Sequence, residues 1–571
     1  MEKRIEKLIQ DGDFLFNKRQ TLLTMWQEIA DNFYPERADF TASRNMGERI
    51  ADNLTTSYPI LIRRDLGNTF STMLRPRDKD WFFAQTNRPE AEDLDAKRWL
   101  QWANGVMRRG MYDRSSGFMR ATKEGDHDFA AFGQCAISVE LNKLKNGLLY
   151  RCWHLRDMAW SENEEGKIDT IHRKWQARRR ELVSLFPPDP TNKFKPGVSK
   201  EFADKMQDDP YGQIPTRHII IPSAEHEPPA HIKKWTQPYV SIYIDVQSGK
   251  VLEEVEVPNT IYVIPRWVTV SGNDQISSQY AYSPATVAGL PDARLLQAMT
   301  LTILEAGEFA TRPPMIATEN AVRSDLQIFS GGVTWVDADY DEKMGEALRP
   351  IQLDERGLQF GVGLREDIRK SLTEAFYLNK IGLPPPEREM TAFETGQRVS
   401  EYIRNALPLF EPMEMDYNGA LCDMTFDLML RGGAFGDMRQ MPQSLRGKEL
   451  QFRFESPLTQ AIEMQKGQIF QQAKAMVADT IAVDPTAAQR VDFGAALKDS
   501  LQGIGTPASW MRDDKQMAVI AKKSAQQQST QQLLQTMGQG ADVAQKLGAA
   551  QQTLQGIPSH AHAEVMPGNV G

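Results

Sequence analysis

Between Tyr282 and Arg431, two helix-period segments flank a short β-prone insertion and lead into a third helical segment broken by prolines. From Pro291 to Arg312, the residues Leu295, Leu296, Met299, Ile303, Leu304 and Phe309 recur at helical spacing behind a proline suited to a first turn. Pro313 and Pro314 end the pattern. At ~1.5 Å per residue this segment is a rod of about 33 Å. The second rod, Leu358 to Leu378, sets Leu364, Ile368, Leu372 and Phe376 against Arg365, Asp367, Arg369 and Lys370, giving one apolar and one charged edge. Met315 to Ala317, Gly332 to Val336 and Leu348 to Leu353 are β-prone runs between the rods and predict a small inserted sheet.

Pro384, Pro385 and Pro386 fix φ and lack N–H donors, so Lys380 to Phe393 is predicted to be a stiff, extended loop. Helical spacing resumes from Glu394 to about Arg431, and Pro408 and Pro412 inside it predict a kink near its middle.

Residues 1 to about 190 read as mainly helical, with Leu22, Leu23, Trp26 and Ile29 on one face, and a polar Pro-rich linker follows from Phe186 to Pro215. Tyr239 to Val246, Lys250 to Val257 and Ile261 to Val270 then predict a three-stranded meander whose edges need cover. Leu450 to Phe454 reads as a strand, Leu458 to Ala478 as a helix, and helical turns continue to about Leu501. In the Gln- and Ala-rich stretch 510–556, Val543, Leu547, Ala550 and Leu554 keep heptad-like spacing, which predicts helices that bundle with their own copies. Gly538 and Gly540 should interrupt them, and Pro558 to Gly571 is expected to be mobile.

At 571 residues and 41% hydrophobic content, the chain has material for several domains. No run reaches the ~18 apolar residues of a membrane span, and Glu2, Lys3, Arg4 and Glu6 do not suit a signal peptide, so no membrane is expected and synthesis in the cytosol is. Lys and Arg number 67 against 76 Asp and Glu, a net charge of −9, which argues against a protein that grips DNA over its whole surface. Cys135, Cys152 and Cys422 lack metal spacing and are expected to be reduced and mostly buried. Gly133, Gln134 and Cys135 near His127 resemble a cysteine-protease loop, yet the plain reading is a packed thiol. His154 to Asp157 echoes a kinase loop without its companion motifs, and His560 with His562 falls short of a structural zinc site. Without a Walker A pattern, no cofactor is expected and any motor must be a partner. Arg173, Lys174, Arg178, Arg179 and Arg180 surround Trp175, a basic run that reads as helical, spreading its side chains over a solvated face or a subunit contact.

The order of these parts resembles the portal proteins, or head-to-tail connectors, of short-tailed bacteriophages. Upstream landmarks agree: Trp26, Glu28, Ile29, Ala30, Tyr34, Pro35 and Arg37; Asp52 to Pro59; Leu66 to Phe70; Leu74, Arg75 and Pro76; and Asp80, Trp81 and Phe82. Phe132, Gly133 and Ala136, followed by Ser138 to Leu141, resemble a further block. Tyr282, Ser283 and Pro284 stand where that family carries a glycine-rich tyrosine motif, here without its glycines. The resemblance covers roughly residues 1 to 510.

It implies an α+β, mainly helical portal fold with wing, stem, clip and crown or barrel, assembled as a cyclic homododecamer. The implied parts are a helical wing at 1–215, a β-rich wing at 216–283, stem helices at 284–312 and 356–379, a clip at 313–355 and a tunnel loop at 380–393. A kinked wing helix at 394–449, a crown at 450–509 and a barrel helix with tail at 510–571 complete it. The tunnel loop would present Lys380, Pro384, Pro385, Pro386, Glu387, Arg388, Glu389, Met390 and Phe393. Glu305, Glu308, Glu366 and Glu374 would form a repulsive channel wall with Arg365, Arg369 and Lys370 as sparse basic contacts; the other reading is local ion pairing or subunit contact. Arg323, Asp325, Trp335, Asp337, Asp339 and Tyr340 would dock partners at the clip. The implied partners are double-stranded DNA, the terminase large subunit, a tail adaptor, and major capsid and scaffolding proteins, at a capsid vertex of a virion assembled in the host cytoplasm. Two other readings are a monomeric cysteine-dependent hydrolase using Cys135 and a structural adaptor without a channel.

Overall fold

The structure, a computed structural model, describes residues 3–45, 47–77, 79–88, 93–230, 232–269, 279–313, 315–317, 348–350, 356–381, 413–437, 441–454, 470–478 and 492–503, then 506, 510, 517, 519–520, 522–524 and 526. Residues 1–504 form one compact unit and 505–571 a second. Helices α1 (Lys3–Lys18), α2 (Gln20–Phe33) and α3 (Tyr58–Leu74) precede strand β1 (Phe82–Thr86), α4 (Leu94–Met111) and α5 (Phe118–Phe132). Strands β2 (Ala136–Leu141), β3 (Leu148–Trp153), β4 (Met158–Glu162) and β5 (Ile168–Arg178) lead to short helices α6 (Arg179–Leu185) and α7 (Lys200–Asp204). Next come β6 (Gln213–Pro222), β7 (Tyr239–Asp245), β8 (Lys250–Val257), β9 (Tyr262–Val263), β10 (Val268–Thr269), β11 (Ala281–Tyr282) and the long α8 (Pro284–Thr311). Beyond it the described residues form β12 (Met315–Ala317), β13 (Leu348–Pro350), α9 (Arg356–Ala375) and α10 (Leu378–Ile381). A π-helical turn at Glu414–Gly419 then continues as α11 (Ala420–Arg431), followed by β14 (Leu450–Phe454) and α12 (Phe493–Gly503).

Helices and sheets combine as an α+β chain, but β1 at Phe82–Thr86 and then β2 to β5 from Ala136 onward lie within the stretch expected to be mainly helical. A five-stranded antiparallel sheet runs in the order β4-β5-β6-β7-β8. Its strand β5 contains Arg173, Lys174 and Arg178 of the basic run that read as helical, and only Arg179 and Arg180 fall in the helix α6 that follows. Polar residues stand inside because both faces are covered: His172 lies under α1, and Arg173 donates through Nε to the Tyr262 hydroxyl at 2.9 Å. Helix α1 lies across the sheet with Ile5 and Leu8 among Ile219, Val240, Ile242 and Ile244. Gly12 allows the close approach, since a Cβ there would lie 2.5 Å from the His172 ring. Arg217 fixes the contact by donating to the Ile9 carbonyl and the Asp13 carboxylate, both at 2.7 Å.

The β7–β8 hairpin forms as expected, but the third strand of the predicted meander does not join it. Ile261 takes a positive φ of 64° and turns the chain away, so β9 pairs with β2 in a separate sheet ordered β3-β2-β9. The predicted linker is also folded: Phe186, Val198 and Ile214 are buried with Ala177, Leu182 and Leu252. Strand β14 forms where predicted, yet it pairs with β1, Phe82 opposite Phe454 and Thr86 opposite Leu450. Residues 450–454 are thereby tied to the N-terminal part of the chain. The main core joins Trp26, Phe33, Phe70, Phe129 and Phe132 from the early helices, and Trp81 immediately before β1, to Tyr417 and Leu421 far along the chain.

Helix α8 starts seven residues before Pro291, which becomes an interior residue. Ser283 caps it by accepting from Thr286 N–H, and Pro284 occupies the first turn, a complete start signal. Helix α9 stops where Tyr377 takes a φ of 58°. Lys380 lies in α10, so the predicted extended loop does not begin there. Residues 382–412, which hold Pro384 to Phe393, Pro408 and Pro412, lie outside the described residues. The segment expected to be kinked shows a π-helical turn immediately after them.

Candidate functional site

Helices α8 and α9 form an antiparallel hairpin rooted in the body. A Cβ on Gly289 would lie 3.1 Å from the Phe376 ring and 3.3 Å from Leu372, and one on Gly361 would lie 3.5 Å from Ile303. The root joins two separated sequence blocks. Gly133 ends α5 with a φ of 75°, and its α-carbon approaches Tyr282 so closely that a Cβ would lie 2.2 Å from that residue's carbonyl carbon. Ser283 Oγ donates to the Ala130 carbonyl and Thr286 Oγ1 to the Ala131 carbonyl, both at 2.7 Å. Gln134 Oε1 accepts from Ala281 N–H at 2.9 Å, so the first turn of α8 is bonded to the last turn of α5.

A collar from the block Asp52 to Pro59 grips both rods. Gln297 on α8 accepts from the N–H groups of Thr55 and Thr56 at 2.8 and 3.0 Å and donates to the Thr56 carbonyl at 3.0 Å. The Tyr58 hydroxyl reaches α9, 2.7 Å from Thr373 Oγ1 and 3.2 Å from the Arg369 carbonyl. Arg294 pairs with Glu28 of α2. Sequence reading did not assign roles to Thr55, Tyr58, Gln297 or Thr286. These roles depend on contacts between residues some 155 to 315 positions apart, which no local pattern signals.

Away from the root the hairpin keeps its apolar residues in the open. Ala285, Gly289, Ala293 and Leu296 make the buried stripe of α8. Leu295, Leu301, Leu304 and Phe309 project from other sides, each about half exposed, and Phe360 on α9 is 74% exposed. Apolar side chains therefore stand, interspersed with Glu305 and Glu308, on sides of α8 that α9 does not cover, and such open apolar surface suits contact with another chain.

The charged candidates divide into two groups. Glu305, Glu308 and Glu374 are exposed. Arg369 pairs with Glu366 at 3.0 Å and lies over the Tyr58 ring, Arg365 approaches Glu366 at 3.5 Å, and Lys370 approaches Asp367 at 3.7 Å. Local ion pairing therefore describes Arg365, Glu366, Arg369 and Lys370 in the single chain. The expected inserted sheet is represented by β12 and β13, antiparallel with Ile316 opposite Arg349. Gly332 to Val336 and the clip candidates Arg323, Asp325, Trp335, Asp337, Asp339 and Tyr340 lie outside the described residues, as do Pro384, Pro385, Pro386, Glu387, Arg388, Glu389, Met390 and Phe393.

The look-alike catalytic strings are structural. Cys135 is fully buried and burial pushes its thiol well above the usual range, so a nucleophilic thiolate does not form there near neutral pH. His127 fills the α3–α5 crossing beside Gly67, and burial lowers it to about 4. His154 is tied to Asp39 at 2.7 Å and accepts from Arg156 N–H. Among the described residues no group of three His, Cys, Asp or Glu side chains could hold a metal, and no helix is long and apolar enough to cross a membrane. His560 and His562 lie outside the described residues.

A curated relative, described as a probable portal protein of Bordetella phage BPP-1, is 25% identical over 546 residues, covering 94% of each chain. Two solved structures are similar at low scores. One, described as the neck of an empty GTA particle computed with C6 symmetry, has a TM-score of 0.35 at 10% identity, covering 77% of this chain and 94% of its own. The other, the virion of a native gene transfer agent particle, has a TM-score of 0.33 at 9% identity, covering 78% and 95%. The sequence model of the bacteriophage head to tail connecting proteins matches residues 6–511, and the chain belongs to that family.

Proposed function

We propose that the chain is a portal subunit: copies close into a ring at one capsid vertex, and double-stranded DNA passes along the axis. The observation that supports this reading is α8, which leaves Leu295, Leu301, Leu304 and Phe309 open on sides that α9 does not cover. Head-to-tail contacts that close into a ring would bury Leu301, Leu304 and Phe309 against the next subunit's hairpin; each is already half buried, so each would contribute roughly 1 kcal/mol, about half of the value for burying such a side chain completely. A dodecamer is the copy number the resemblance implies.

In this ring the hairpin is the stem. Glu305, Glu308 and Glu374 supply repulsion to phosphate, while Arg365 and Arg369, already engaged by Glu366, offer weakened contacts, so duplex slides without being held. The β12–β13 end is the clip, meeting the terminase large subunit during packaging and a tail adaptor afterwards. The Pro384–Pro386 segment rings the narrowest point, and major capsid and scaffolding proteins surround the body. Genome packaging, retention and ejection follow from these contacts.

Light scattering with electron-microscope class averages of the purified protein tests the reading. Rings with a central opening wide enough for duplex DNA are expected. Particles that assemble without an opening would replace the channel by a plain adaptor, and a monomer that stays monomeric with capsid and scaffolding proteins present would refute the ring.

A further inference from the structure

The basic run Arg173 to Arg180 acquires direction once it is a strand followed by a helix. Alternation along β5 sends Lys174 to one face, where it lies 4.0 Å over Phe16 and 3.7 Å from Asp13, and sends Arg173 and Trp175 to the other. On that second face Arg173 lies over the Trp153 ring at 3.8 Å and the Trp175 ring at 5.2 Å. Both tryptophans wall a cavity of about 810 Å³, completed by Arg151, Arg180, Leu185 and Tyr211 among others.

The chemistry of this cavity is one-sided. Tyr211 is 64% and Leu185 49% exposed, so apolar surface is open beside cations. Arg173 is buried beneath the walls with its Nη1 lacking a hydrogen-bond partner, and Lys143 stands at the rim, bonded to Ser184 at 2.7 Å. The nearby carboxylates are engaged: Glu181 caps α6 and pairs with Arg178 at 4.0 Å, Asp209 pairs with Arg179 at 3.6 Å, and Glu140 lies in the field of Arg173 and Arg151. None of the cavity residues belongs to α8 or α9.

We propose that this cavity docks an acidic peptide segment of a protein partner, an aromatic or proline side chain resting on Trp153, Trp175 and Tyr211 while flanking carboxylates meet Arg151 and Arg180. A peptide fits better than a nucleic acid. The cations cluster around one concavity instead of spacing along a track that a phosphodiester backbone could follow, and a short peptide can set its carboxylates at Arg151 and Arg180 while an apolar side chain covers the rings beside Glu181.

The test uses the full-length protein and three fluorescein-labelled probes read by anisotropy. The probes are a glutamate–proline peptide around one tryptophan, its counterpart with lysine for glutamate, and a single-stranded DNA octanucleotide. Saturable binding of the acidic peptide is expected, weakened roughly tenfold by Arg151→Gln with Arg180→Gln and unchanged by Lys7→Gln with Lys123→Gln, which removes equal charge elsewhere. Both substituted arginines are exposed, and a circular dichroism spectrum matching the parent verifies folding. Absence of saturation with the acidic peptide, equal binding by the arginine variant, equal binding of the lysine peptide, or tighter binding of DNA with the same arginine dependence would each overturn the proposal.

Discussion

Replacing Gly133 by Ala should loosen the joint on which the hairpin stands, and the size of the effect follows from two separable terms. The first is conformational: a φ of 75° lies in the left-handed region, where an L side chain costs roughly 1–2 kcal/mol. The second is steric, because the new Cβ would lie 2.2 Å from the Tyr282 carbonyl carbon, 2.4 Å from Ser283 nitrogen and 2.5 Å from the Tyr282 oxygen. These are backbone atoms held by the Ser283 and Thr286 hydrogen bonds, so no rotamer change relieves the contact; overpacking of this kind costs typically 1–3 kcal/mol. The sum is about 2–5 kcal/mol. Gly166 is the internal control, with a φ of 76° and nothing within 4 Å of its Cβ position, so Gly166→Ala should show the conformational term alone. Urea unfolding followed by tryptophan fluorescence reads both variants, with Trp267 as a local reporter because its N–H donates to the Gly133 carbonyl at 2.8 Å. If Gly133→Ala lost no more stability than Gly166→Ala, the close approach of α5 to α8 would be refuted.

Other outcomes can be checked alongside. Leu301→Glu with Leu304→Glu should leave the subunit's circular dichroism unchanged while abolishing ring assembly in light scattering, since both side chains are exposed within one chain. Deleting Pro384 to Arg388 should spare ring assembly but impair packaging or DNA retention, measured by nuclease-protected genome per particle. His172 is lowered to about 3 by burial and by nearby Arg217, and Lys174 lowers it further while Asp13 opposes. Its folded pKa is depressed, so between about pH 6.5 and 3 the unfolded chain binds the extra proton and stability falls as pH falls, by on the order of 4 kcal/mol over the window. His172→Gln should flatten that acid limb in urea titrations between pH 7 and 4. Cys135→Ser should keep assembly and infectivity, and loss of a hydrolytic turnover in that variant would restore the enzyme reading.

Much of the hairpin was legible because its signals are local. Helical periodicity located both rods, paired prolines marked the end of α8, and β-prone runs at Met315 and Leu348 became a paired ladder. The start of α8 was misplaced because Pro291 competes with Pro284 as a first-turn proline, and the Ser283 cap decides between them. Among the early strands Ser138 to Leu141 read as β-prone, but β5 was missed for a different reason: it is covered on both faces, so it buries His172 under α1 and Arg173 against Tyr262 in place of the apolar alternation that reveals a half-buried strand.

What the sequence by itself determined is the order of parts: two rods, an insertion between them, and a family order of landmarks from Trp26 to Pro284. Each is a property of neighbouring residues, set by backbone geometry and hydrophobic period. The tertiary structure decided which of these parts touch. Gly133 meets Tyr282, Thr55 and Tyr58 clasp the rods, and Phe82 pairs with Phe454, all through contacts whose partners lie far apart along the chain. Such contacts satisfy buried polar groups and fill close approaches that no local pattern encodes, since either partner alone is an ordinary glycine, threonine or tyrosine.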